Sequence, residues 1–447
     1  MARRSGGATQ DMTRGSIVRQ VILFALPLML GNVFQMLYNT VDSIVVGQFV
    51  GKEALAAVGS TTMIVNIAVF FFNGFSVGAS VLISRHFGAA QETLRGAQGG
   101  GADAARGDMD RLHVAVETTM AMTFVFGAAF TALGVLGVRP MLRFMNTPDD
   151  VLSDASTYLT IYFAGIAGLL IYNMGSGILR AVGNTTRPLM FLALTSVLNI
   201  LLDLLFVLGL HAGIAGVAWA TILSQFISAA LTLALLTRSR DIYRLTWRDL
   251  RVDVPSLRRI FAVGLPAALQ SVITAFSNAF VQSYINFFGS ACMAGWGSYN
   301  KLDMFIMLPM QSMALAATTF VSQNVGAGQE ARAARGTRIT VALTVGVTAV
   351  IAAGLFLFAE PAVGLFSRDP AVIEYGALFL HCNVFFLLFN CVNHTLAGAL
   401  RGRGDSRGPM SLCCCPSWPC GRRTCSPSRA SWPTPPRWWA SAIPWAG

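Results

Sequence analysis

The sequence predicts an all-α integral membrane protein made of two like lobes related by a parallel repeat. Three observations carry the prediction. Only 12% of the 447 residues are charged and 54% are hydrophobic, about half the charge of a soluble chain, so too little polar surface exists to cover a fold in water. The apolar residues gather into ten runs, each reaching the length of about 20 residues that a spanning helix needs. The same signposts also recur in the two halves of the chain.

The runs fall at 17–45, 54–84, 112–138, 151–179, 188–210, 213–237, 258–288, 291–324, 338–359 and 371–400. They are continuously apolar rather than alternating, which selects helices over barrel strands. Several exceed the minimum and leave room for tilt or kinks. Pro27, Pro266 and Pro309 stand inside runs, and a proline removes one backbone hydrogen bond and bends a helix. The opening stretch, residues 1–16, is basic and polar and lacks the apolar core and cleavage site of a signal peptide. It reads as a cytoplasmic tail.

Loop charge sets the topology. Arginines crowd the N-terminus (Arg3, Arg4, Arg14, Arg19) and the loops after even-numbered spans. The loop at 238–257, a basic linker between the lobes, holds Arg238, Arg240, Arg244, Arg248 and Arg251, with Arg258 and Arg259 just beyond it. The opposite loops hold only Lys52, Arg139, Arg143 and Arg368. By the positive-inside rule the N-terminus and the basic loops are cytoplasmic. The net charge of +11 is thereby a topology signal, and no nucleic-acid partner is expected.

The repeat pairs "LPLMLGNVFQMLYNTVDS" from Leu26 with "LPAALQSVITAFSNAFVQ" from Leu265, and "ISRHFGAAQ" (83–91) with "VSQNVGAGQ" (321–329). The turn after each fourth span, "LRAVGNTTRP" (179–188) and "LRGRGDSRGP" (400–409), fits L-R-x-x-G-[ND]-[ST]-x-x-P. The two starts lie six spans apart on one side of the membrane, so the repeat axis runs along the membrane normal. The first lobe is residues 17–237 and the second 258–410. Two like bundles around a central cavity suit alternating access better than a channel, for which no charged ring or filter-like run appears.

Ionisable residues inside spans are costly and mark function. Asp42 lies late in span one and Asp203 in the middle of span five. Asn199, four residues before Asp203, shares its helix face, and Thr221 follows in span six. Two carboxylates with amide and hydroxyl oxygens suit a sodium ion or a shared proton; Asn199 and Thr221 alone are also ordinary helix-packing groups. The second unit has Val281 where the first has Asp42, and span seven carries no acid, so this site belongs to the first lobe. Glu374 and His381 are weaker candidates for a second site, and Lys301 with Asp303 reads as an internal pair. Amides such as Asn32, Gln35 and Asn173 are candidates to line a cavity. Among the aromatic and methionine residues, Phe70–Phe72 read as lipid-facing or packing. No phosphate loop, H-E-x-x-H or G-x-S-x-G occurs, and no Cys/His metal spacing precedes residue 411. Neither an enzyme nor a cofactor is expected.

With "LPLMLGNVFQMLYNTVDSIVVGQFVG" (26–51), "ISRHFGA" (83–89), "LRAVGNTTRP" and "GIAGVAWATILSQ" (213–225), residues 17–410 resemble the multidrug and toxic compound extrusion (MATE) transporters. The resemblance implies two six-helix lobes that export cationic, amphipathic compounds in antiport with sodium ions or protons, from a monomer in the cell's inner (plasma) membrane. It carries a cation site onto Asp42, Asn199, Asp203 and Thr221, substrate-cavity contacts onto Gln35 and Asn173, and the bending point of span one onto Pro27. A lipid-linked precursor flippase of related fold is the alternative, although the several cavity arginines such proteins carry are not found.

After Met410 the resemblance implies two more spans. Instead, residues 411–447 hold five of the eight cysteines, five of the eight tryptophans and seven of the seventeen prolines. "CCCPSWPC" lacks the spaced pairs of a zinc site. Read one base over, codons for "WASAIPWAG" permit "GIGYPLGW", which is similar to "GIAGVAWAT". The tail therefore reads as an out-of-frame translation that costs the second lobe spans eleven and twelve, and the exact chain is expected to transport weakly.

Overall fold

The computed structural model describes residues 10–96, 102–145, 147–239 and 241–414. Arg3, Arg4, Arg240 and the cysteine-rich tail from Cys415 onward lie outside the described residues. The first lobe comprises α1 (Ile17–Val45), α2 (Lys52–Gly96), α3 (Ala102–Phe144), α4 (Asp149–Ala164), α5 (Ile166–Ala181), α6 (Thr186–Leu204) and α7 (Gly213–Arg238). The second comprises α8 (Val254–Asn286), α9 (Ser290–Gly326), α10 (Glu330–Leu357), the short α11 (Ala359–Gly364), α12 (Pro370–Gly402) and α13 (Arg407–Cys414). Among the described residues nine helices are long and apolar enough to cross a membrane, and the bent α4–α5 pair makes a tenth span.

That bend departs from the single run expected at 151–179. The chain turns by 48° between α4 and α5 at Gly165, where a Cβ would collide with Ile222 of α7. A glycine here lets α7 press against the turn, and the bend follows from that approach. Pro27, Pro266 and Pro309 lie inside α1, α8 and α9.

The repeated turns have one physical explanation. Gly183 and Gly404 both take positive φ, +84° and +91°, a region glycine enters without steric cost. Asn184 N–H donates to Leu179 O at 2.8 Å and Asp405 N–H to Leu400 O at 3.0 Å, the closing bond of a glycine-terminated helix. Asn184 Oδ1 then accepts from Arg187 N–H, and Asp405 Oδ1 from Arg407 N–H, starting the next helix. The motif is a helix stop followed by a helix start, used at the same place in both lobes.

The lobes meet at the end that carries the basic loops. Ser322 Oγ donates to Val81 O at 2.7 Å, and Gln323 Nε2 to Ala181 O at 2.8 Å. Phe24, Ala25 and Leu28 of α1 pack with Met313, Ala316 and Phe320 of α9. Residues 10–16 do not hang free as a tail. Met12 is 0% exposed, its N–H donates to Gln323 Oε1, and its carbonyl accepts from Asn324 Nδ2. Asp11 pairs with Arg95 of α2, so this segment ties both lobes together. The 238–257 linker is also docked: Thr246 Oγ1 donates to Glu117 Oε1 at 2.8 Å, and burial pushes the Tyr243 hydroxyl up to about 12.

Candidate functional site in the first lobe

Helix α6 is polar inside and apolar outside. Leu194, Val197, Leu201 and Leu205 are exposed at helical spacing along one face, which is the arrangement lipid demands. Thr195, Ser196, Asn199 and Asp203 occupy the opposite, buried face. Helix α7 mirrors this with buried Thr221, Ser224, Ser228 and Thr232. Small polar residues let the two helices approach closely, and Ser228 Oγ donates to Thr195 Oγ1 at 2.7 Å between them.

The structure brings the four residues expected to hold a cation into one neighbourhood. Asp203 is 0% exposed and Asn199 3%. The half-buried Asp42 carboxyl stands beside that of Asp203. Thr221 Oγ1 donates its proton to Val217 O at 3.1 Å, leaving its lone pairs free. Asp42 Oδ1, both Asp203 oxygens and both Asn199 side-chain atoms are buried with no hydrogen-bond partner among the described residues. Unpartnered polar atoms are rare in a folded interior, and two buried carboxylates side by side repel unless a proton or cation lies between them. The donor set is all oxygen, which fits a hard cation or a proton and not a thiophilic metal. Among the described residues no cluster of three or more His, Cys, Asp or Glu side chains forms.

A cavity of about 110 Å³ opens between α1, α5, α6 and α7. Gln35 and Asn173, expected to contact substrate, both line it, as does Pro27. Asn199 and Thr221 also line it, so the cavity wall and the oxygen cluster share two residues. From Thr185 to Asn199 it follows about 20 Å of helix.

Several features were not read from the sequence. Both acid-bearing helices widen into a π-helical turn just past the acid, at Val46–Val50 and Leu205–Gly209; such turns cluster at functional sites. Tyr158 of α4 stands near both acids and stacks on Tyr162 with ring centroids 6.2 Å apart. Their i, i+4 spacing in span four was the available signal.

Other expectations are corrected. Lys301 and Asp303 form no ion pair among the described residues. Lys301 Nζ sits over the Phe366 ring at 5.3 Å, and Asp303 Oδ1 accepts from Tyr299, because two helix positions apart they diverge around α9. His381 Nε2 is bonded to Phe356 O, and Glu374 is exposed, so these two build no second site. Of the two roles expected for Phe70–Phe72, lipid-facing or packing, Phe72 takes the second, buried in an aromatic cluster with Phe71, Phe126 and Phe130.

Comparison with known proteins gives a consistent picture. The family model described as MatE matches residues 27–98, 101–205 and 266–417. The probable multidrug resistance protein YpnP of Bacillus subtilis (strain 168) is 31% identical over 394 residues, 88% of this chain and 84% of that protein. A crystal structure of MATE in the bent conformation has a TM-score of 0.81 at 24% identity, covering 91% of this chain and 87% of that one. The straight conformation gives 0.80 at 25%, covering 91% and 88%. These likenesses establish the fold and do not separate the two conformations.

Proposed function

The chain belongs to the MatE family of multi-span transporters, and we propose that it is a secondary active multidrug exporter coupled to sodium ions or protons. The observation that carries this is the cluster of unpartnered buried oxygens on Asp42, Asn199 and Asp203 at the margin of a cavity that shares Asn199. The likeness to a probable multidrug resistance protein supports the drug-export part.

The basic end faces the cytoplasm, in the multi-pass arrangement of an inner (plasma) membrane protein acting as a monomer. The lobes are closed at that end, so this conformer is outward-facing. The exported compounds are cationic or amphipathic and enter the first-lobe cavity along Gln35 and Asn173. Because Asn199 and Thr221 serve both the cavity and the oxygen cluster, an incoming cation drawing them toward the carboxylates reshapes the wall that holds the drug. Neutralising the carboxylates removes the repulsion between α1 and α6. Pro27 lets α1 bend in response, and the lobes rock about the cytoplasmic seam.

Efflux of a fluorescent cationic dye from proteoliposomes, under a sodium or a proton gradient, tests this reading with the chain and its Asp42→Asn and Asp203→Asn forms. Gradient-driven efflux that both substitutions abolish is expected. Undiminished coupled efflux in both overturns the site.

A further inference from the structure

The first-lobe cavity has a charge that drug export by Asp42 and Asp203 does not use. Among its lining residues a single side chain is charged, and it is Arg180. A second, smaller cavity between the lobes is also lined by Arg180 as its sole charge. The guanidinium therefore stands in the wall between the two spaces. Its hydrogen bonding is slight. Ser76 Oγ accepts from Nη2 at 3.4 Å, while the Ser76 hydroxyl proton is directed to Asn173 O. None of the four ion pairs among the described residues includes Arg180.

The repeat shows a counterpart with a close acceptor. Arg401 holds the position of Arg180 in the second lobe, by the shared L-R-x-x-G turn. It donates to Gln270 Oε1 at 2.6 Å. Aligning "LPLMLG" from Leu26 with "LPAALQ" from Leu265 puts Gly31 where the second lobe has Gln270. Thus the first lobe has the arginine and no side-chain acceptor at this position. Gly31 itself lines the cavity, with Leu189 and Leu192 as its nearest neighbours. A planar guanidinium with free N–H groups matches a carboxylate in two-point geometry.

We propose that Arg180 is the residue of this cavity that selects for a carboxylate on the substrate, anchoring it through its guanidinium. The carboxylate sits at the cytoplasmic end of the cavity. The apolar body lies along Leu169, Leu189 and Leu192, and any cationic group points toward Asn199 and the acids beyond it. This rests on the reading of the cavity as the drug site.

The test measures binding of two dyes to the full chain in lipid nanodiscs by fluorescence anisotropy. Rhodamine B carries a free carboxylate; rhodamine B ethyl ester does not. Arg180→Gln should weaken the acid about tenfold or more, the usual effect of removing a charge-assisted hydrogen bond, and leave the ester within twofold. Arg180→Lys should keep part of the acid's advantage. Gly31→Gln installs the acceptor of the second lobe and should lower the acid-to-ester ratio with the arginine still present. Ester binding reports that each variant is folded. A parallel loss of both dyes in Arg180→Gln, an unchanged ratio, or no binding of the acid by the native chain overturns the proposal. Gradient-driven efflux is a separate measurement: its failure with acid binding intact would strike the transport reading and leave the anchor standing.

Discussion

Gly88 and Gly326 make the same contact in opposite directions across the lobe boundary. A Cβ on Gly88 would overlap the carbonyl oxygen of Gln323, and one on Gly326 would overlap the carbonyl oxygen of Arg85. Residues 85 and 323, like 88 and 326, are equivalent in the repeat, so the pseudo-two-fold axis passes between these four. Gly88→Ala or Gly326→Ala should force the seam apart at a cost of about 1–3 kcal/mol, typical of overpacking. Spin labels at Leu94→Cys and Arg335→Cys should then report longer interlobe distances than in the parent. Unchanged distances would show that the seam absorbs a methyl group.

The oxygen cluster predicts a specific stability pattern. Asp203→Asn removes one of two crowded carboxyl groups, so the variant should unfold at an equal or higher temperature without the coupling cation. It should also lose the cation's stabilisation, which for a site at a hundredfold its dissociation constant is about 2.7 kcal/mol. Thermal unfolding of the purified protein across a sodium series at fixed pH, and across pH without sodium, identifies which cation the native chain responds to.

The N-terminal segment should act as a clasp on the closed seam. Gln323→Ala would orphan Met12 N–H, at roughly 1–3 kcal/mol for the buried group, and leave Ala181 C=O with Ser84 Oγ as its remaining side-chain donor. The Leu94–Arg335 distance should broaden in the same variant.

Asp253 caps α8 where the linker enters the second lobe. Its carboxylate accepts from Ser256 N–H at 2.8 Å, and hydrogen bonding by Ser256 holds its pKa below the usual Asp value. The folded carboxyl thus binds its proton less tightly than the unfolded one. Its contribution is complete above the unfolded value of about 4 and is lost as pH falls through the lower folded value. Asp253→Ala should cost about 1 kcal/mol at neutral pH, and the difference from the parent should vanish in acid.

The spans and the repeat were legible because lipid imposes them: hydropathy along a helix and arginines at its ends are local properties. Asp42, Asn199 and Asp203 were legible for the same reason, as polar residues with no cheap place in a membrane. The bend at Gly165 was not, because it depends on Ile222 arriving from another helix. The clasp was hidden too. "QDMTRG" is polar in composition, and Met12 is buried only because Gln323 and Asn324, more than 300 residues later, reach it. Gly31 became informative only once Gln270 was seen to hold Arg401.

The polar face of α6 has a consequence for biogenesis. A central Asp disfavours insertion of an isolated helix by about 2.5–3.5 kcal/mol, and each leucine returns only about 0.3–0.6. With seven leucines against Asp203 and Asn199, α6 is close to the threshold at which the translocon releases a segment into lipid. It is therefore poised to wait for α7, whose buried Ser228 already offers a partner to Thr195, and to enter the bilayer with it as a hairpin. The residues proposed to couple ions in this lobe also make its assembly depend on the order in which its helices are made.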